Sequence, residues 1–142
     1  MPRAPHKDGK INLIAKVPLF AGLSKRQLAQ VASIADEIDL PQGKILTREG
    51  ERGREFFILL EGEAEVRRKG RKLATRRAGE FFGEIALLSN VPRVATVTAA
   101  TPVQALVVRD VDFRALLAHT PQIALKVLEK VAERLPTTAD DV

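Results

Sequence analysis

Cysteine, tyrosine and tryptophan are absent from this 142-residue sequence, and histidine occurs only as His6 and His119. Without cysteine the chain can form neither a disulfide nor a zinc–thiolate site, and it has no thiol nucleophile. Two isolated histidines do not provide the cluster of ligands that a catalytic metal centre needs. We therefore expect a protein without metal or cofactor that is not an enzyme.

Long apolar runs are also absent. The opening residues lack the apolar segment of a secretory signal, and no run approaches the roughly 20 apolar residues that cross a bilayer. The lack of cysteine suits a reducing compartment, so we expect a cytoplasmic protein with no membrane span. A length of 142 residues favours one domain with its own core.

Positive charge is in excess, with a formal net charge of +5. Much of it lies in "RRKGRKLATRR", which we call the basic hairpin (Arg67–Arg77); it has seven basic residues and no acidic one. Such a stripe can bind nucleic acid or an anionic surface. The chain lacks aromatic stacking platforms and any zinc-finger or helix-turn-helix pattern. A solvated turn is therefore the favoured interpretation, and nucleic acid is not the expected partner.

Two helical regions flank a central run of short β-prone segments. Residues 1–10 are polar and are expected to form a flexible N-terminus. Ser24 is a suitable N-cap, and apolar residues then recur at helical spacing at Leu28, Val31, Ile34 and Ala35. Between residues 39 and 108, short apolar runs alternate with glycines every 8–12 residues or so, which is typical of a β-sandwich or barrel. "GEIALLSN" interrupts them as a short helix.

The C-terminal third is helical again. "DVDFRALLAHTP" has an acidic start and a proline stop, and the final helix begins near Pro121 and ends before Pro136. This final helix has an apolar stripe at Ala124, Leu128, Val131 and Leu135. The stripe can pack on the strands or pair two chains.

One short stretch, "FFGEIALLSNVPRVAT", carries chemistry. Gly83 allows close backbone approach, and the first amides of a helix starting at Glu84 attract an anion. Arg93 can grip phosphate oxygens in a bidentate manner, whereas the Glu84 carboxylate suits a sugar hydroxyl. These residues indicate a nucleotide pocket. A structural ion pair between Glu84 and Arg93 is the alternative.

The segment "FGEIALLSNVPRVATV" closely resembles the phosphate-binding cassette of cyclic nucleotide-binding domains. These domains occur in catabolite activator-type regulators, protein kinase A regulatory subunits and cyclic-nucleotide-gated channels. Flanking segments are similar to the same family, so the resemblance covers residues 13–135, nearly the whole chain. The matching cassette positions are Phe82, Gly83, Glu84, Ile85, Ala86, Leu87, Pro92, Arg93, Ala95 and Thr96.

The resemblance implies an α+β, mainly β fold. It would be an antiparallel, jelly-roll-like β-roll with an N-terminal helical segment, a short phosphate-binding helix and two C-terminal helices. The domain would span residues 11–135, followed by a tail over 136–142. By position, Arg93 would bind the cyclic phosphate and Glu84 the ribose 2′-hydroxyl. Backbone amides of Gly83, Ile85, Ala86 and Val94 would complete the ligand-binding site.

The resemblance also bears on the base. Some relatives that prefer cGMP have a threonine after the arginine, whereas this chain has Val94, so cAMP is the expected ligand ahead of cGMP. Apolar walls for the base could come from Ile58, Leu60 and Val97. A cap over the base would come from the last helix or the tail, and the candidates are Arg134, Leu135 and Thr138.

The expected function is a non-catalytic regulatory module in which ligand binding shifts the position of the last helix. Its output would pass to a downstream effector, with a homodimer through the last helix as one arrangement. The chain would be either a free-standing sensor or part of a larger regulator. The alternative is a degenerate domain that has lost its ligand and acts as a protein- or nucleic-acid-interaction module through the basic hairpin.

Overall fold

The computed structural model describes residues 7–134. Its helices are α1 (Lys7–Ala15), α2 (Lys25–Ile34), α3 (Glu84–Leu88), α4 (Asp110–His119) and α5 (Pro121–Arg134), with a 3-10 turn at Pro18–Phe20. Its strands are β1 (Ala35–Leu40), β2 (Ile45–Thr47), β3 (Glu55–Glu61), β4 (Glu63–Arg68), β5 (Arg71–Arg77), β6 (Phe81–Phe82), β7 (Thr96–Ala99) and β8 (Val103–Arg109).

The strands form two antiparallel four-stranded sheets. The first sheet has the order β1-β8-β3-β6 and the second has the order β2-β7-β4-β5. This mainly β arrangement with flanking helices confirms the predicted fold class. Helices α1, α2, α4 and α5 pack on the outer face of the first sheet, so the domain has three layers.

Successive side chains of β3 and β8 point to opposite faces of the first sheet. Both faces carry apolar side chains that are buried, so this sheet forms the middle layer. Phe56 and Ile58 of β3 lie in the core against the helices. Phe57 and Leu59 lie in the core between the two sheets. Phe56 stacks on Phe113 of α4, with ring centroids 4.3 Å apart. This contact fixes α4, and through it α5, to the sheet.

The N-terminal part confirms one prediction and corrects another. The Ser24 side chain accepts a hydrogen bond from the Gln27 amide, and the Gln27 side chain reciprocates in a capping box. Helix α1 begins at Lys7, so residues 7–10, which were expected to lie in a flexible N-terminus, are helical. Ala35, assigned from the sequence to the α2 stripe, is the first residue of β1.

The apolar stripe predicted on the last helix packs on the core only in part. Ile123 and Val127 of α5 are buried against the first sheet and α4, with Val131 packed at the edge of the same core. Leu128, in contrast, is 64% exposed. The helix has apolar residues on more than one face, and only the sheet decides which face is covered. Leu135, the fourth residue of that stripe, lies outside the described residues, as do residues 1–6 and the tail over 136–142.

Candidate functional site

A cavity of about 590 Å³ opens between the second sheet, α3 and the end of α5. It brings together every predicted ligand-binding residue and one of the three predicted cap residues, Arg134. The other two, Leu135 and Thr138, lie outside the described part of the chain. The predicted residues that line the cavity are Gly83, Glu84, Ile85, Ala86, Arg93, Val94 and Arg134.

Gly83 forms the turn between β6 and α3. Its φ of +95° is a left-handed conformation that favours glycine. A Cβ at this position would lie 2.8 Å from Arg93 Nη1 and 3.0 Å from the Glu55 carbonyl oxygen. Glycine therefore lets β6 turn sharply into α3 and lets the Arg93 guanidinium lie against the backbone. The first amides of α3 have no partner within the helix.

Arg93 is buried, with 7% of its surface exposed. Its Nη1 donates to the Gly83 carbonyl at 3.0 Å, and its Nη2 donates to the Glu55 carbonyl at 2.6 Å. The guanidinium carbon lies 5.9 Å from the centre of the Phe57 ring. Burial lowers the pKa of Arg93, while the nearby Glu55 and Glu84 oppose this shift. The side chain is held in one orientation and keeps further N–H donors for a ligand.

The loop before β7 sets the position of Arg93. The Arg93 amide donates to the Glu51 carbonyl at 2.8 Å, and the Gly50 amide donates to the Arg93 carbonyl at 2.8 Å. A Cβ at Gly53 would lie 2.5 Å from Arg93 Nε, so the opposite loop approaches this guanidinium closely as well. The sequence did not identify Gly53 as part of the site, because it is 40 residues before the arginine that it contacts.

Glu84 is almost fully buried, with 2% of its surface exposed, yet its partner is not Arg93. Arg134 Nη1, from the last turn of α5, lies 3.0 Å from Glu84 Oε1. The same guanidinium donates to the Phe81 carbonyl at 2.6 Å and lies over the Phe81 ring at 4.8 Å from its centre. The alternative of a Glu84–Arg93 ion pair is therefore wrong, and the carboxylate is joined to the last helix.

Two further arginines, Arg68 and Arg76, line the cavity and were not identified from the sequence. Both belong to the basic hairpin, which was interpreted as a solvated turn. Burial lowers the pKa of Arg76, and the positive charge of Arg134 adds to this effect. Period-two alternation along β5 could have indicated Arg76, because it shares a face with Ala74. With Arg93 and Arg134, four arginines and one acidic residue, Glu84, line the cavity, so its charge favours an anionic ligand.

The apolar walls of the cavity differ in part from the expectation. Val97 lines the cavity as predicted, together with Val66, Leu73 and Ala74. Ile58 is fully buried in the core beneath the helices, and Leu60 packs at the edge of the same core. Neither residue lines the cavity because both occupy the helix-facing side of β3.

Within residues 7–134 no cluster of three or more histidine, cysteine, aspartate and glutamate side chains is arranged to hold a metal ion. Over the same range, none of the helices has the length and apolar character needed to span a bilayer.

Residues 37–120 match the family model described as the cyclic nucleotide-binding domain. This chain belongs to the cyclic nucleotide-binding domain family. The match includes the whole segment from Gly83 to Val94 that contributes the buried acid and the buried arginine. It therefore confirms the resemblance inferred from the cassette.

Relatives of this cyclic nucleotide-binding domain include channels and kinase subunits. A cyclic nucleotide-gated potassium channel of Rhizobium etli is 38% identical over 122 residues, covering 86% of this chain and 34% of the channel. A cAMP-dependent protein kinase regulatory subunit of Mycosarcoma maydis is 43% identical over 88 residues, covering 59% of this chain and 17% of the subunit. The chain thus spans about a third or less of the length of these relatives.

A solved structure supports the same fold. The crystal structure of the Thermus thermophilus catabolite activator protein superposes with a TM-score of 0.74 at 30% sequence identity, covering 82% of this chain and 57% of that chain. The cyclic nucleotide-binding domain described above is thus similar to domains found in a channel, a kinase subunit and a catabolite activator.

Proposed function

We propose that this domain is a non-catalytic sensor that binds a cyclic nucleotide, prefers cAMP over cGMP and reports binding through α5. The observation that carries the proposal is the shared burial of Glu84 and Arg93 in one cavity. The buried Glu84 carboxylate and the fixed Arg93 guanidinium line the same cavity, and together they suit a ligand with one anionic group and one hydroxyl. A cyclic nucleotide provides both groups on one rigid ring system.

Arg93 would bind the cyclic phosphate. Two of its N–H donors are already used by the Gly83 and Glu55 carbonyls, so the guanidinium is oriented before the ligand arrives. Preorganised donors lose little conformational entropy on binding. The amides of Gly83, Ile85, Ala86 and Val94 would supply the remaining donors around the phosphate.

Glu84 would accept a hydrogen bond from the ribose 2′-hydroxyl. Its carboxylate is buried and bonded through Oε1 to Arg134. An ionised carboxylate has about four acceptor sites, so it can hold Arg134 and a hydroxyl together. Glu84 would in this way link the ligand to the last helix.

The preference for cAMP is based on Val94, which is 41% exposed on the cavity wall. Its side chain has no hydroxyl with which to hold the exocyclic amino group of guanine. Arg134 is the cap residue that the described part of the chain favours, because its guanidinium already reaches into the cavity.

The output would pass through α5 to a downstream effector, and the domain needs no cofactor besides its ligand. A nucleotide that contacts Glu84 and Arg134 together favours the arrangement in which α5 lies over the cavity, and so shifts its population. Leu125 and Leu128 are exposed on α5 and offer a surface for an effector or for a second copy of the chain.

Calorimetric titration with cAMP and cGMP tests the proposal, after refolding the protein to remove any nucleotide carried through purification. Arg93→Ala removes a charge-assisted contact worth roughly 1.5–3 kcal/mol, so the affinity for cAMP should fall about ten- to a hundredfold. Arg77→Ala is the matched control, because Arg77 lies on the exposed face of β5.

The outcomes separate the two functions. Weakened cAMP binding in Arg93→Ala, with unchanged binding in Arg77→Ala, supports the sensor. Because Arg93 is buried, thermal unfolding of ligand-free Arg93→Ala must show that this variant folds. Arg93→Lys is a second variant, which retains the positive charge but loses the planar guanidinium that can bind two phosphate oxygens. No heat with either nucleotide would favour the degenerate domain that acts through the basic hairpin.

A further inference from the structure

The end of the basic hairpin, which we call the hairpin tip (residues 67–72), carries a cationic side chain at every position except Gly70. The turn between β4 and β5 consists of Lys69, with a φ of +52°, and Gly70, with a φ of +77°. Positive φ at both central residues is characteristic of the type I′ turns that close the tightest hairpins. All residues of the tip are exposed, so it projects a compact group of positive charges into solvent.

Like charges lie opposite each other across the two strands of the tip. Arg67 is paired with Lys72, and Arg68 is paired with Arg71. Charges of the same sign that are directly opposed destabilise an antiparallel pair of strands. The stability of the fold therefore does not account for this arrangement, whereas an anionic partner would relieve the repulsion.

Acidic side chains near the hairpin tip compensate only part of its charge. Glu65 forms an ion pair with Arg67, and Glu49 Oε1 accepts a hydrogen bond from the Lys69 amide at 2.9 Å. Within residues 7–134, no carboxylate forms an ion pair with the other cations of the tip, which are Arg68, Lys69, Arg71 and Lys72. Cations on an edge strand such as β5 deter pairing with other sheets, but β4 is an interior strand and carries cations as well.

The apolar and aromatic residues of the chain indicate which anionic partner fits the tip. Leu73 follows the tip at a shift of register, where it has no opposite residue, and 58% of its surface is exposed. All six phenylalanines are buried, so no surface ring can stack on the bases of a nucleic acid. The surface of an anionic bilayer attracts cations, and its interfacial layer accepts an apolar side chain beside them. These features favour a lipid surface over nucleic acid.

We propose that the hairpin tip docks this domain on the surface of a bilayer that contains anionic lipids. The cations of the tip contact the phosphate and carboxylate groups of the lipids, and Leu73 lies at the interface. Such docking is peripheral and needs no segment that crosses the bilayer. It goes beyond the proposed function and does not depend on it, because Lys69, Arg71 and Lys72 do not line the nucleotide cavity.

Co-sedimentation with lipid vesicles tests the proposal. The wild-type protein should bind vesicles of phosphatidylcholine mixed with phosphatidylserine and not vesicles of phosphatidylcholine alone, and added salt should weaken the binding. The test variant combines Lys69→Gln, Arg71→Gln and Lys72→Gln. Its matched control removes the same charge from exposed residues on the helical side of the domain by Lys16→Gln, Lys25→Gln and Arg26→Gln. The hairpin variant should bind about a hundredfold more weakly than the wild-type protein, whereas the control should retain most of the binding.

Equal losses in the two triple variants would overturn the proposal, because net charge and not the hairpin tip would then attract the vesicles. Tighter binding of the wild-type protein to duplex DNA than to the mixed vesicles, at the same salt, would overturn it in favour of nucleic acid. Thermal unfolding without vesicles checks the fold. Removal of opposed like charges should not lower the midpoint of the hairpin variant, and a large fall would show that the cations serve the fold. Lys72→Gln alone is a milder variant and should weaken binding about fivefold.

Discussion

Arg134 Nη1 lies 3.0 Å from Glu84 Oε1, so the last described residue of the chain is joined to the first residue of α3. The Glu84 carboxylate is buried, and Arg134 is also held by the hydrogen bond that it donates to the Phe81 carbonyl. Removing one partner of such a pair leaves a buried charge without compensation. We therefore expect a ligand that binds Glu84 to affect α5 as well.

Glu84→Ala should weaken binding of cAMP much more than binding of 2′-deoxy-cAMP. The wild-type carboxylate accepts the 2′-hydroxyl, and a charge-assisted hydrogen bond is worth roughly 1.5–3 kcal/mol. We expect the wild-type protein to favour cAMP over its deoxy analogue about tenfold or more, and the variant to bind the two with similar affinity. Calorimetry with both ligands measures this, and Glu129→Ala, at an exposed acid of α5, is the control. Equal losses for both ligands would show that Glu84 does not contact the hydroxyl.

Arg134→Ala should disconnect α5 from the cavity. In the wild-type protein, cAMP should slow amide hydrogen exchange in α5, because the ligand favours the arrangement in which Arg134 contacts Glu84. In the variant the ligand-dependent change in α5 should shrink, while protection of α3 by the ligand remains.

Lys130→Ala removes a cation from the same helix, whose partner within residues 7–134 is Glu133 in an exposed ion pair, so this variant should behave like the wild-type protein. The same protection of wild-type α5 with and without cAMP would rule out α5 as the element that reports binding.

Gly83→Ala should lower both stability and cAMP affinity. The new Cβ would be strained at a φ of +95° and would lie 2.8 Å from Arg93 Nη1. Strain at such a position costs on the order of 1–3 kcal/mol of the free energy of unfolding, and displacement of Arg93 should weaken phosphate binding. Urea unfolding and calorimetry measure the two effects.

Gly43→Ala is a matched control, since Gly43 has a φ of +90° and no neighbouring heavy atom within 4 Å of a new Cβ. It should lose stability through backbone strain alone and keep the wild-type affinity. A similar loss of affinity in both variants would mean that general destabilisation, and not the position of Arg93, accounts for the effect.

Local features were predictable where few residues, close in the chain, decide the conformation. Ser24 and Gln27 are three residues apart, so the capping box depends on a single helical turn. Gly83 was expected to allow close backbone approach, and it has a positive φ. Helix α3 follows from the same local pattern, since a left-handed glycine precedes a short run of helix formers.

Features that depend on distant partners were missed or placed on the wrong face. The α5 helix could bury either the side with Leu128 or the side with Ile123 and Val127. The first sheet and α4 cover the latter. Ile58 was expected to form an apolar wall for the nucleotide base, but it lies in the core on the helix-facing side of β3. Which face of β3 each side chain occupies depends on how the two sheets pack.

The sequence by itself determined the cassette, because the backbone turn at Gly83, the helix start at Glu84 and the position of Arg93 all lie within eleven consecutive residues. Only the tertiary structure decided what those residues contact. Arg134 reaches Glu84 across 50 positions, and Arg76 lines the cavity although the adjacent Arg77 faces solvent. Chain spacing constrains local backbone conformation, but side-chain partners across a cavity depend on the packing of sheets and helices, which no single segment encodes.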